Sequence, residues 1–124
     1  MAHVLLVEDD RTLADTIADL LSPDYRVSVA YDGETALEEA RRLAPDTVLL
    51  DLGLPEIDGF HVARRLRELL GNAVRLIAYT ARSDVPPHEL QAAGFDHVLT
   101  KPASIEEISD VLVDVQGAEP VPRR

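Results

Sequence analysis

His3-Val4-Leu5-Leu6-Val7-Glu8-Asp9-Asp10-Arg11-Thr12-Leu13 decides how the rest of the chain reads. The short unbroken apolar run after His3 fits a strand covered on both faces. Beyond the three carboxylates, Leu13, Ile17, Leu20 and Leu21 are spaced by four, three and one residues, which is one face of a helix. The chain therefore passes from a buried strand to an amphipathic helix through an acidic turn.

That alternation continues outward. Ser22-Pro23-Asp24 breaks the first helix, and Tyr25 to Ala30 alternates through Val27 and Val29 as a second strand. Asp32-Gly33 opens a helix with Ala36, Leu37, Ala40 and Leu43 on one side, stopped by Pro45. Thr47-Val48-Leu49-Leu50 reads as a third buried strand ending at Asp51, followed by a loop from Leu52 to Asp58 that carries Gly53 and Pro55. Asp58-Gly59 leads into a helix with Val62, Leu66 and Leu69 inward, ended by Gly71-Asn72. Arg75 to Tyr79 is a fourth strand, and Pro86 to Ala93 a short helix that prolines start and Gly94 stops. Asp96 to Leu99 is a fifth strand. Ser104 to Gln116 then opens with Ser104 and Glu107 at capping-box spacing and places Ile105, Ile108, Leu112 and Val115 on one helical face. Val111 to Val115 also alternates like a strand, but the longer helical period is the stronger signal. Five strands alternating with five helices predict an α/β fold, a parallel sheet with helices on both faces.

At 124 residues the chain fits one domain with its own core. Without cysteine it has no disulfide, no thiolate zinc site and no cysteine nucleophile. No apolar run approaches the ~20 residues of a membrane span, and no basic region leads into an apolar stretch at the N-terminus. The expectation is a soluble, cytoplasmic protein without membrane insertion. A formal charge of −11 argues against direct nucleic-acid binding and is compatible with a cation site, although a solvated acidic surface gives the same balance. There is no internal repeat and no low-complexity tract.

In open parallel sheets, ligands collect beyond the carboxyl ends of the strands. Glu8-Asp9-Asp10, Asp51, Thr80 and Lys101 all follow strand-like segments, so they describe one pocket. Lys101 is the single lysine beside eleven arginines, a compact mobile ammonium where every other basic position offers a planar fork. Glu8, Asp9 and Asp51 repel one another unless one is protonated or a cation intervenes. All-oxygen ligands point to Mg²⁺ or Mn²⁺. Asp10 has a plainer reading as the cap of the first helix; Asp51 could cap a turn with Gly53, and Thr80 could be an ordinary strand-end residue. His3, His61, His88 and His97 show no metal spacing. Taken together, a carboxylate beside a divalent ion, an ammonium and a hydroxyl is equipped to accept a phosphoryl group as an acyl phosphate.

Over residues 2 to 116 the chain resembles a receiver domain of the bacterial response-regulator family. The resemblance lies in Val4-Leu5-Leu6-Val7-Glu8-Asp9-Asp10, Leu49-Leu50-Asp51-Leu52-Gly53-Leu54-Pro55, Asp58-Gly59, Thr80-Ala81, Gly94-Phe95-Asp96 and Leu99-Thr100-Lys101-Pro102. The spacings of 29 from Asp51 to Thr80 and 21 from Thr80 to Lys101 match as well. The resemblance implies a flavodoxin-like sheet in the order 2-1-3-4-5. It implies that Asp51 accepts a phosphoryl group from a phosphohistidine on a sensor histidine kinase or phosphotransfer protein. By the same likeness Glu8, Asp9, Asp51 and the Gly53 carbonyl hold Mg²⁺, Thr80 and Lys101 contact the phosphoryl oxygens, and Lys101-Pro102 is cis. Output would run through a downstream effector protein or a domain outside this chain, with 1–116 as the receiver and 117–124 as a flexible tail. Such a chain modifies and demodifies itself and is not an enzyme for an outside substrate.

Two positions depart from the family pattern. Val98 stands where a tyrosine or phenylalanine usually couples the hydroxyl residue to the output face, with Tyr79 and His97 pointing elsewhere by strand parity. The segment 82–93 is short and carries Pro86-Pro87. Two other functions fit part of the same residue set. An aspartyl phosphohydrolase needs a second acid shortly after the nucleophile, where Gly53 stands. A receiver-like binding module without phosphorylation gains some room from Val98 and is opposed by the intact acidic, hydroxyl and lysine set.

Overall fold

The computed structural model describes residues 2–54, 58–82 and 84–118, with the backbone alone for 114–118. The expected roles of Pro55 in the turn after Asp51, of the Val115 side chain on the last helix and of 119–124 as a tail lie outside the described residues.

The elements follow in the order β1 (His3–Val7), α1 (Arg11–Leu21), β2 (Arg26–Ala30), α2 (Gly33–Leu43) and β3 (Thr47–Asp51). Then come α3 (Gly59–Leu70) with a 3-10 turn at Gly71–Ala73, β4 (Arg75–Thr80), α4 (Pro87–Ala93), β5 (His97–Thr100) and α5 (Ile105–Ala118). All strands pair in parallel in the order β2-β1-β3-β4-β5. This is the flavodoxin-like arrangement that the sequence predicts, and it puts the reversal of strand order between β1 and β3.

Alternate residues of each strand feed opposite cores. Leu5, Val7, Val48, Leu50, Leu76 and Ala78 face α2, α3 and α4, where Ala36, Val62, Leu66 and Leu90 cover them. Val4, Leu6, Leu49, Ile77, Tyr79 and Leu99 face α1 and α5, under Ile17, Leu21, Ile108 and Leu112. β1 and β3 are buried through almost their whole length, which is why they read as unbroken apolar runs.

Helix starts lie where the capping chemistry predicts. Asp10, Asp32 and Asp58 accept backbone N–H bonds from Leu13, Thr35 and Phe60. Ser104 and Glu107 exchange the two bonds of a capping box at 3.1 and 2.8 Å. Some boundaries differ. β4 runs through Thr80 rather than stopping at Tyr79, β5 is displaced one residue later, and α5 continues to Ala118, past Gln116. The strand-like alternation at 111–113 belongs to that helix, with Leu112 buried and Val113 exposed. α4 is a seven-residue helix, short as its sequence suggests.

Candidate phosphoacceptor site

Glu8, Asp51, Thr80 and Lys101 stand at or just beyond the carboxyl ends of β1, β3, β4 and β5. Glu8 and Asp51 are buried, Thr80 is buried and Asp9 is exposed. One ligand oxygen from each of Glu8, Asp9 and Asp51 lies within 4.8 Å of the others. Asp10 is not among them. Its carboxylate caps α1, 3.1 Å from the Leu13 nitrogen, as its plainer reading predicts.

Lys101 ties this cluster together. Its Nζ donates to Glu8 Oε1 at 2.7 Å and to Asp51 Oδ2 at 3.2 Å. Glu8 Oε2 accepts the Asp10 amide at 3.0 Å, and Asp51 Oδ1 accepts the Gly53 amide at 2.9 Å. Asp51 therefore does cap its own turn while also facing the lysine. Thr80 Oγ1 accepts the Arg82 amide at 2.9 Å, which leaves its O–H to donate. The Lys101 amide donates to the Thr80 carbonyl at 2.7 Å, so hydroxyl and ammonium are joined through the backbone. The Lys101-Pro102 peptide is cis.

Burial, the largest influence, pushes Glu8 above the ordinary carboxylate value. The bonds from Lys101 and the Asp10 amide pull the other way, and the charge on Asp51 adds to the rise. Burial alone would lower the Lys101 ammonium, but its bonds and charge attraction to Glu8 and Asp51 outweigh this and raise it. The site thus sets a firmly charged lysine beside the carboxyl groups of Glu8 and Asp51. The donor set is all oxygen and includes one exposed carboxylate, which fits a hard divalent cation.

The loop after Asp51 is set by close packing. A Cβ on Gly59 would lie 2.7 Å from Leu52 Cα and 3.0 Å from the Asp51 carbonyl, so α3 can meet this loop only at a glycine. The histidines stand apart from the pocket. His61, His88 and His97 are exposed, and His3 shares a 2.8 Å bond with Ser28 in the neighbouring strand β2. Val98 lies 48 % exposed on β5, facing solvent beside α4. One contact escaped the sequence reading: the Tyr79 ring lies under Lys101, with Nζ 4.8 Å from its centroid. The register that pairs Asp51 with Tyr79 across β3 and β4 puts both residues on one face, and Lys101 reaches back over that face from the loop after β5.

An acidic pocket with one lysine at the carboxyl edge of a 2-1-3-4-5 parallel sheet defines a flavodoxin-like α/β module with its candidate site at the strand ends. The sequence model of the response regulator receiver domain matches residues 4–113, and the chain belongs to that family. It is 40% identical over 110 residues to the transcriptional regulatory protein CiaR of Streptococcus pneumoniae, covering 87% of this chain and 48% of CiaR. The chain spans about half the length of the curated relatives it matches. Among solved structures, chemotaxis protein CheY4 of Vibrio cholerae superposes with a TM-score of 0.84 at 27% identity, covering 93% of this chain and 98% of that one. The BeF3-activated receiver domain of DrrB, a Thermotoga maritima protein, gives 0.85 at 25% identity, covering 94% and 98%. The chain is a receiver domain of two-component response regulators, and among the described residues no helix is long and apolar enough to cross a membrane.

Proposed function

We propose that this receiver is a phosphorylation switch in which Asp51 accepts a phosphoryl group from a phosphohistidine. One Asp51 carboxylate oxygen attacks phosphorus, the P–O bond forms, and the P–N bond breaks. Its electron pair stays on the donor imidazole, which takes up a proton as the solution pH requires. Asp51 needs no general base, because the carboxylate is already the deprotonated nucleophile. Glu8, Asp9, Asp51 and the Gly53 carbonyl would hold Mg²⁺, which supplies positive charge against the phosphoryl oxygens when bound. Lys101 adds its own charge from the side of Asp51 Oδ2, and the Thr80 hydroxyl donates to a third oxygen.

The observation that carries this reading is the bridge of Lys101 between Glu8 and Asp51, within an acidic cluster whose ligand atoms lie within 4.8 Å. The partners are then a sensor histidine kinase or phosphotransfer protein upstream and an effector protein or domain outside this chain downstream. The activated state solved for DrrB offers a parallel for what loading would do here. The chain would work in the cytoplasm and act on no substrate but itself.

Intact mass after incubation with Mg²⁺ and acetyl phosphate tests this on the parent and Asp51→Asn. A single phosphoryl adduct on the parent alone is expected. No adduct on the parent, either from acetyl phosphate or from a panel of phosphorylated histidine kinases, would overturn the reading in favour of a binding module.

A further inference from the structure

The Lys101 ammonium does not rest on carboxylates alone. Two of its three N–H groups point to Glu8 and Asp51, and the face of the Tyr79 ring stands 4.8 Å from the nitrogen. Tyr79 is 3% exposed and faces α1 and α5. Its register partner in β3 is Asp51, and in neighbouring parallel strands such partners leave the sheet on the same side. Ring, nucleophile and lysine therefore share one wall of the pocket. A lysine stem has four rotatable methylenes and no preferred aim, so something other than the stem must place the charge.

We propose that Tyr79 is the positioning residue for Lys101: its ring holds the ammonium over the gap between Glu8 and Asp51. The functional consequence rests on the phosphoacceptor reading, whereas the placement rests on the contact itself. An aromatic face attracts a cation without taking one of its hydrogen bonds. The ring therefore steadies the ammonium and leaves an N–H for an arriving phosphoryl oxygen. A second carboxylate in that place would draw the lysine away from Asp51. A leucine would fill the volume and let the ammonium swing. The aromatic face, not the bulk or the phenol oxygen, is what matters.

The test uses the full chain and the fact that it has one lysine. Labelling with ¹³C-lysine gives one set of side-chain NMR signals. These are expected to be shifted upfield by the ring in the parent and in Tyr79→Phe, and to return to ordinary values in Tyr79→Leu. With Mg²⁺ and acetyl phosphate, Tyr79→Phe should form acyl phosphate within about twofold of the parent rate. Tyr79→Leu should be slower by about tenfold, with Mg²⁺ affinity within about twofold throughout. If leucine does not fold, Tyr79→Met, flexible enough to fill an irregular volume, carries the same expectation.

Lysine signals unmoved by loss of the ring, or a parent-like rate in Tyr79→Leu, would overturn the proposal. So would a parallel fall in Mg²⁺ affinity, which would mark general damage to the pocket. A parent with shifted lysine signals and no adduct from acetyl phosphate or from phosphorylated histidine kinases would sink the phosphoacceptor reading while upholding the placement of Lys101 by Tyr79.

Discussion

Lys101 Nζ and Glu8 Oε1 meet at 2.7 Å across 93 residues of sequence, with the Glu8 side chain 1% exposed and that of Lys101 21%. Removing one partner of a buried pair leaves the other charge uncompensated. Lys101→Met should therefore lower unfolding free energy by about 2 kcal/mol at pH 7.5 in chelator. The pH dependence has a definite sign. Glu8 is raised above 4.5 in the folded state, chiefly by burial, so its charged form opposes folding. That cost is absent below 4.5 and develops as pH rises through the folded value. Without the lysine the folded value rises further, so the deficit of Lys101→Met should shrink as pH falls toward 5. In the parent the raised lysine contributes stability that is fully present below 10.5 and lost as pH rises through its folded value. Urea melts at several pH values check both statements, and a deficit that grows on acidification would contradict them.

Thr47 sits fully buried at the start of β3, and its Oγ1 has no hydrogen-bond partner among the described residues. A buried hydroxyl without a partner carries its desolvation cost uncompensated. Thr47→Val keeps the branched shape that suits a central strand and removes the oxygen. Unfolding free energy should rise by about 1 kcal/mol, read by denaturant melts with an unchanged m-value. A loss of stability would mean that the hydroxyl has a partner in solution.

Gly59 makes a similar prediction in the opposite direction. Alanine would ordinarily gain about 1 kcal/mol inside a helix. Here its Cβ would press on the backbone of Leu52 and the Asp51 carbonyl, neither of which is a flexible side-chain end. Gly59→Ala should cost about 1–3 kcal/mol and weaken the proposed Mg²⁺ binding severalfold, because relief of the clash moves the loop that follows Asp51 and carries Gly53. Calorimetric titration with Mg²⁺ separates the two effects; unchanged affinity would show that the loop yields elsewhere.

The order of elements was legible because β1 and β3 are buried on both faces, so Val4 to Val7 and Val48 to Leu50 could only read as strands. The acidic cluster was legible because parallel strands deliver their ends to one edge. Contacts made by long side chains across that edge were not. Strand parity says which face Tyr79 takes, but not that Lys101 reaches back over it from the following loop. Arg67 is a second case. It donates to the carbonyls of Gly71, Val74 and Gly94 and to Asp96 Oδ2, joining the end of α3 to β4 and β5. Nothing in Arg64-Arg65-Leu66-Arg67 singles it out, because a guanidinium with five donors finds carbonyls that only the folded chain brings together.

Under the proposed phosphorylation of Asp51, Val98 bears on how the loaded state would reach the surface. It pairs with Ala78 in β4 and stands 48% exposed beside Leu90 and Phe95. A valine at this edge has one torsion and no ring to carry between a solvent-facing and an inward position. Movement of Thr80 toward a phosphoryl group should therefore leave this side chain in place. Chemical-shift changes on adding Mg²⁺ and BeF3⁻ are expected to concentrate at 80–82 and 101–104, the two segments joined by the Lys101 amide to Thr80 carbonyl bond. Residues of α4 and the outer face of β5 should move little in the parent. They should move more in Val98→Tyr, which gains a side chain able to occupy two positions. A full displacement of α4 and β5 in the parent would show that this receiver switches through that face without an aromatic residue there.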